Sequence, residues 1–516
     1  MSTNRRKAIW LLPVVLITVF FLLRSCGIYP KKFNRHSGEF DPTSAGCYVP
    51  LDATAIAAFD LSQIFEDIEF NELSRSQAYL QKLQTYYQQS PIFTRIFQNP
   101  ESAGINTADK AIFYLDVGNA KVETYTASVL SIKDKNLFSK MVSENWKGKI
   151  SGEKWYKRIN FKPTSLLAFN DHIAVFISTN QGFDPEKILE QVFKESEEKY
   201  FDKHEDFLAK YKAFKTDAAF WVDFDSYSRN QLHATGEEGE FKDYQLKGNY
   251  VYGEANFLSG KMEIEIHPSF NTLLENITKS IFATKNQNSP FAAFLPADRA
   301  PSFTGQFSLN FNGILNLLLK SPELKVQARD SMAAYGLMLE DFDNAFTGNS
   351  FMAAYPNDTT TKSSVVIGFE LKDKNEFFKI IDIMQDLGKI YPERGGVYQM
   401  VNGGTIPFLP IYGNYPDMKQ RMIIKGDAVY FSLDKDIVSA IELATGNDQN
   451  INLYNALDGA QHFAVKGTEK FDRLKAYSEK FNVKEYQLSY KEGVLHLDLY
   501  LINQEKSSLK QVLNIQ

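Results

Sequence analysis

The chain has 516 residues, of which 44% are hydrophobic and 23% are charged, a balance that is typical of a globular protein and excludes a disordered one. Its formal net charge is −6 and its basic residues form no long cluster, which argues against nucleic acid as a partner. Both cysteines precede residue 48, so the body of the chain has neither a disulfide scaffold nor a cysteine nucleophile.

The N-terminal residues predict a membrane segment. Arg5, Arg6 and Lys7 precede an unbroken apolar run over 8–23, which is the pattern of an export signal. Because the run is shorter than the roughly twenty residues that span a bilayer, three outcomes are open. Cys26 could be lipidated after cleavage, the run could stay as a single-pass anchor, or cleavage could release a soluble protein.

The residues beside Cys26 bear on this choice. Leu23 and Ser25 fit the cleavage box of bacterial lipoproteins, whereas Arg24 between them departs from it, and no Ala-x-Ala site supports release. A retained run would leave residues 1–7 in the cytoplasm by the positive-inside rule. In either anchored case we expect the body on the extracytoplasmic, periplasmic side of the bacterial cell envelope.

The rest of the chain divides into a tether and two domains. Residues 27–46 are polar and are predicted to form a flexible tether between the membrane segment at 1–26 and the body. The body is predicted to consist of two repeat domains, 47–288 and 289–516, because polar loop-like sequence at 284–289 separates two similar halves.

Internal self-similarity predicts that the body arose by duplication. Three short motifs recur in the same order after about 240 residues. The first pair opens strands and the second pair opens helices that follow strands. The recurring segments are 49–53 and 295–299, 133–136 and 372–375, and 243–246 and 485–488.

Periodicity predicts the helices of each half. Apolar residues recur at helical spacing after Asp134 and Asp373, and an aspartate at this position is a good N-cap. A further helix is expected to begin near Asp434 and to end near Gly446, since glycine commonly terminates helices.

Alternation of apolar and polar residues predicts the strands near the end of each half. It runs through 262–267 and through 495–500, and it indicates strands with one dry face and one wet face. Each half is therefore predicted to be α+β, with a mostly antiparallel sheet and helices packed on one face. Further predicted strands are 55–61, 125–132, 303–309 and 364–371.

The two halves differ most between the predicted strands 397–401 and 421–424. The segment 403–416 is rich in proline, glycine and large apolar residues and cannot be a helix, whereas the first half crosses the same gap within 161–164. Either this loop packs on its own domain or it presents apolar side chains to a protein partner. The candidate contact residues are Ile406, Phe408, Leu409, Ile411 and Tyr412.

No motif for catalysis, metal binding or cofactor binding is present. The sequence lacks G-x-S-x-G, phosphate-binding glycine loops and H-E-x-x-H, and its histidines stand apart from one another. Acidic pairs such as Asp223 with Asp225, and Asp341 with Asp343, occur without any sign that they share a cleft. We therefore expect no catalytic residue, metal ion or cofactor.

The opening of the body carries a resemblance. The segment 49–61, with its echo from 295 onward, resembles a family of uncharacterised bacterial cell-envelope proteins, often lipoproteins, whose tandem β-rich domains begin "P-x-D-A". The resemblance implies the location and the architecture but no catalytic residues. We expect a membrane-tethered, non-catalytic binding or assembly protein. The alternatives are an envelope hydrolase with paired carboxylates between the halves, or a module that binds lipid, glycan or peptide.

Overall fold

The structure is a computed structural model, and it describes much of the chain between Ala45 and Val512. The predicted membrane segment, Cys26 and the tether up to residue 44 lie outside the described residues. Among the residues that are described, no helix combines the length and the apolar character needed to span a bilayer. The described residues are 45–50, 53–77, 79–81, 83, 91–116, 124–152, 155–162, 164–179, 188–189, 192–193, 215–223, 248–272, 275–276, 279, 293–296, 299–308, 310, 336–356, 364–401, 420–446, 463–470, 482–491 and 493–512.

Strands dominate this part of the chain. They are β1 Ala55–Asp60, β2 Lys110–Asp116, β3 Tyr125–Ser131, β4 Ser151–Gly152, β5 Lys157–Lys162, β6 Ser165–Phe169, β7 Ile173–Thr179, β8 Ala218–Asp223, β9 Tyr250–Leu258, β10 Lys261–Ser269, β11 Phe303–Ser308, β12 Phe346–Tyr355, β13 Ser364–Leu371, β14 Ile390–Pro392, β15 Val397–Met400, β16 Arg421–Lys425, β17 Ala428–Ser432, β18 Phe463–Thr468, β19 Val483–Lys491 and β20 Val494–Leu501.

The described residues contain fewer helices than strands. A 3-10 helix covers Ala45–Tyr48. The α-helices are α1 Leu61–Asp67, α2 Phe70–Leu73, α3 Pro91–Gln98, α4 Lys135–Asn145, α5 Leu339–Ala345, α6 Lys374–Asp386, α7 Lys435–Leu443 and α8 Ser508–Val512.

All strands of the described residues belong to one antiparallel sheet with a few helices, so the predicted mostly antiparallel sheet is confirmed. From one outer strand to the other, the pairings give the order β4-β5-β6-β7-β3-β2-β1-β8-β9-β10-β20-β19-β18-β11-β12-β13-β17-β16-β15-β14. The order within β11–β20 repeats the order within β1–β10. We call β1–β10 the first half and β11–β20 the second half; they meet where β10 pairs with β20.

The predicted helix starts are confirmed. The carboxylate of Asp134 accepts the backbone N–H groups of Asn136 and Leu137 at 2.8 and 3.0 Å. Asp373 caps α6 in the same way, and Asp434 caps α7. Each cap satisfies backbone donors that the first turn of a helix leaves unpaired. These local signals hold because they depend only on neighbouring residues.

Paired residues lie on the same face of the sheet, and the register therefore defines two faces. The front face carries Leu167, Ile264 and Phe431, and the back face carries Leu166, Glu265 and Tyr430. On the front lie three apolar clusters, which involve α3 and α4, then α1 and α8, then α5 and α6. On the back lie two clusters, one with 45–49 and 188–193 and one with α7.

The prediction that helices pack on one face of each sheet is therefore wrong. The reason is visible in β6, where the consecutive side chains of Leu166, Leu167 and Ala168 are all at most 2% exposed. Consecutive residues of a strand point to opposite faces, so this run requires an apolar layer on both sides. The alternating strands at 262–267 and 495–500 do have a wet face, but they are not representative of the whole sheet.

Candidate functional site at the junction of the two halves

The junction joins one strand from each half in a symmetric register. Ile264 lies opposite Leu497, and on either side of this pair Glu263 faces Asp498 and Glu265 faces His496. The alternation predicted for these strands is confirmed: Ile264 and Leu497 are both 6% exposed on the front face. The polar side chains consequently share the back face.

Aromatic rings packed over glycines make the front of this region tight. A Cβ added at Gly253 would lie 2.1 Å from Cζ of Phe220 on the neighbouring strand. A Cβ added at Gly467 would lie 2.1 Å from Cε1 of Tyr486. In both halves an aromatic ring covers a glycine of the adjacent strand, and only a missing side chain leaves room for it.

The back of the junction is polar and charged, and we call it the junction strip. Its central contact is the ammonium of Lys261, which lies 2.7 Å from Oε1 of Glu263 and 3.1 Å from Oδ2 of Asp498. Partial burial would lower the pKa of Lys261, but hydrogen bonds to Glu263 and Asp498 outweigh burial and raise that pKa above its ordinary value. The strip consists of Glu254, Lys261, Glu263, Glu265, His267, His496 and Asp498.

Glu265 is the most exposed acidic group of the strip, with 55% of its side chain accessible. It lies 3.8 Å from Nε2 of His267 and 3.5 Å from Nδ1 of His496. Glu254 stands opposite Glu265 on β9 and accepts the hydroxyl of Tyr252 at 2.6 Å. Facing like charges destabilise a sheet, so this part of the strip is suited to a positively charged neighbour.

The carboxylates of the junction strip meet only one requirement of the hydrolase alternative. Glu263 and Asp498 come from different halves and face the same surface, as that alternative requires. However, the ammonium of Lys261 lies between them, and this arrangement satisfies both charges as an ionic bridge.

Of the acidic pairs noted in the sequence, only Asp341 with Asp343 is fully described. Asp341 accepts the backbone N–H of Met338 at 2.7 Å at the start of α5. Asp223 ends β8, and Asp225 lies outside the described residues. Within the described part of the chain, no three His, Cys, Asp or Glu side chains are grouped so that they could hold a metal ion.

Another carboxyl pair, Asp67 with Asp217, was missed by sequence reasoning. Asp217 is 6% exposed and accepts the backbone N–H of Phe257 at 2.5 Å. Burial, followed by the charge and hydrogen bond of Asp217, raises the pKa of Asp67 from 3.8 to about 6. No signal in the sequence indicates this pair, because its members are far apart in the chain and belong to no motif.

The candidate contact residues Ile406, Phe408, Leu409, Ile411 and Tyr412 lie outside the described residues. The strands on either side of this loop are described: β15 and β16 pair with each other near one end of the sheet. Their counterparts β5 and β6 are joined by residues 163–164 alone, whereas 401–420 joins β15 to β16. The position of the insertion in the fold is therefore clear.

Comparisons with known proteins add little. No protein-family model matches the chain, and the comparison with curated proteins gave no match. Two solved structures are weakly similar, crystal forms I and IV of TP0453, with TM-scores of 0.27 and 0.24 and sequence identities of 10% and 9%. Each covers 46% of this chain, and the matches cover 81% and 88% of those chains. Scores this low carry no argument about fold or function.

Proposed function

We propose that this protein is a non-catalytic binding or assembly component of the bacterial cell envelope. Its N-terminal segment tethers it to a membrane, and its body lies on the extracytoplasmic side. The observation that carries the proposal is the loop between β15 and β16, which is inserted into one half of an otherwise repeated strand order. Loops on a rigid scaffold commonly carry binding functions.

We also propose that the body consists of two tandem related domains, 47–288 and 289–516. The repeated strand order supports this proposal, as do the equivalent caps Asp134 and Asp373, which open the helices after β3 and β13. A duplicated unit frees one copy to acquire a new loop while the other keeps the scaffold intact. The partner would be a protein that contacts the apolar residues of the inserted loop, and we propose no cofactor.

Site-specific photocrosslinking in the native membrane tests the partner loop. A photoreactive residue at Phe408 should give a discrete crosslinked species. The same residue at Glu238, in the acidic segment 236–240 of the first half, should not, because that segment has no large apolar side chain. Deletion of 404–416 should abolish capture of the crosslinked protein, whereas deletion of 236–240 should leave it unchanged. Equal crosslinking from both sites would overturn the proposal.

One observation favours a hydrolase as the second candidate, namely the pairing of Glu263 with Asp498 across the junction. The matched test is a set of glycan and peptide substrates assayed with wild type, E263Q and D498N. Hydrolysis that both variants abolish would establish the alternative. Equal turnover in all three proteins, or none, would remove it, and the bridging position of Lys261 leads us to expect none.

A further inference from the structure

A hairpin at the outer edge of the first half carries an unusual surface. After α4 the chain runs through 147–150 into β4, which pairs with β5 and is the outermost described strand at this end of the sheet. In this pairing Ser151 faces Arg158 and Gly152 faces Lys157. Because β4 and β5 pair over two residues each, Ile150 before β4 and Trp155 before β5 belong to the same short hairpin.

This hairpin exposes large apolar side chains beside basic ones. Ile150 is 37% exposed and Trp155 is 50% exposed, although the neighbouring Tyr156 is buried at 2%. The hairpin is therefore anchored in the core by Tyr156, while Trp155 beside it is exposed. Lys147, Lys149 and Lys157 are also exposed. We call Lys147, Lys149, Ile150, Trp155 and Lys157 the edge patch.

The described acidic groups near the edge patch form ion pairs with lysines outside it, although the charge of Lys157 also acts on Asp171. Glu144 lies 3.8 Å from Lys140, and Asp171 lies 2.8 Å from Lys135. Glu153, in the turn of the hairpin, lies outside the described residues. The described part of the patch consequently combines positive charge with an exposed aromatic ring and an exposed aliphatic side chain.

The described chain begins on the first half, where the 3-10 helix Ala45–Tyr48 packs against β2 and β3. Ala45 and Tyr48 are 2% and 4% exposed, and the hydroxyl of Tyr48 accepts a hydrogen bond from Nδ2 of Asn170 at 3.1 Å. Asn170 lies in the turn between β6 and β7, and β6 is paired with β5 of the hairpin. The predicted tether therefore joins the body at the first half, which is also the half that carries the edge patch.

We infer that the edge patch is a second membrane contact, which lays this end of the body against an anionic lipid surface. The inference rests on the proposed tether. Trp155 and Ile150 enter the interfacial region, where tryptophan is favoured, and the three lysines meet lipid phosphates. Membrane contact through both the tether and the patch fixes the orientation of the body, so that β14, at the other end of the strand order, lies away from the bilayer.

The corresponding edge of the second half differs. Tyr391 on β14 is 54% exposed, but Ile390 beside it is 1% exposed. Glu393 is paired with Arg421 at 3.1 Å. This edge offers an aromatic ring without the cluster of lysines, and it is the natural control.

Quenching of tryptophan fluorescence by brominated lipids tests the inference on the full chain in vesicles. A W10F background removes the signal of the predicted membrane segment, and the W155F variant isolates the contribution of Trp155. We expect Trp155 to be quenched in anionic vesicles but not in zwitterionic ones. The K147Q/K149Q/K157Q variant should retain less than about half of this quenching, and high salt should act in the same direction. A tryptophan at the opposite edge, Y391W in W155F, should not be quenched.

Flotation of the full chain with vesicles distinguishes failure of the proposed tether from failure of the edge patch. If the chain floats with both kinds of vesicle but Trp155 is not quenched in anionic ones, the patch is overturned and the tether stands. Equal quenching at positions 155 and 391 would also overturn the patch. If the chain floats with neither kind of vesicle, the tether and the patch both fail.

Discussion

The two halves of the sheet share a strand order and differ at their outer ends. In the first half a two-residue link joins β5 to β6, and the outer hairpin carries lysines and an exposed tryptophan. In the second half a long insertion joins β15 to β16, and near the outer edge Glu393 forms an ion pair with Arg421. The common strands form the scaffold, and the specialised features lie where they do not disturb the strand pairing.

The largest expected effect on stability comes from the junction, where a substitution tests whether the two halves unfold together. The L497A variant removes a buried side chain of the second half and should cost about 2–5 kcal/mol of unfolding free energy. Trp146, Trp155 and Trp221 all lie in the first half and report on it by fluorescence. Because β10 and β20 share one sheet, L497A should shift this fluorescence transition in denaturant together with the circular dichroism transition.

The matched control for coupling is V429A, in a core cluster of the second half that lies away from the junction. If L497A moves only the circular dichroism transition and leaves the fluorescence transition in place, the halves unfold independently. The junction would then be a contact between two separate domains.

A smaller effect is expected from the glycines under aromatic rings. G253A and G467A each place a Cβ 2.1 Å from a ring atom, so the ring or the strand has to shift. Overpacking of this kind costs about 1–3 kcal/mol. Similar losses of stability for the two variants in thermal unfolding would show that the two glycines have equivalent roles in the two halves. A neutral result at one of them would mean that the sheet relaxes more easily in that half.

The equivalent helix caps should contribute about equally. D134A and D373A each remove a carboxylate that accepts two backbone N–H groups, with an expected loss of about 1 kcal/mol. Urea denaturation of the two variants measures this loss. D134N and D373N are the controls, since asparagine also caps helices. A large difference between D134A and D373A would show that the helices differ in their importance for stability.

The smallest effect concerns a feature described only in the first half. The pKa of Asp67 is raised from 3.8 to about 6, so its protonated form stabilises the fold. That contribution is fully present below pH 3.8 and is lost as the pH rises through about 6. D67N keeps a neutral donor beside Asp217 and should be more stable than wild type at pH 7, by less than about 1 kcal/mol.

Denaturation of D67N and wild type at pH 4, 5, 6 and 7 measures this effect. The advantage of D67N should grow with pH across this range. A constant difference between the two proteins would contradict the assigned cause.

Much of the local structure could be predicted. The caps Asp134, Asp373 and Asp434 and the alternation at 262–267 depend on residues that are neighbours in the chain. The bridge of Lys261 between Glu263 and Asp498 could not be predicted, because it needs the register between strands about 230 residues apart. The covering of both sheet faces was missed because continuous apolar runs such as 165–169 do not reveal which layers cover them.

By itself the sequence determined where strands and helices begin, since caps, turns and periodicity act over a few residues. It also indicated the repeated organisation and the position of the inserted loop. Only the tertiary structure decided that the two halves join edge to edge, which carboxylates meet at the junction, and that Trp155 is exposed rather than buried. These outcomes depend on long-range pairing and on burial, which are properties of the whole packed sheet and not of any local segment.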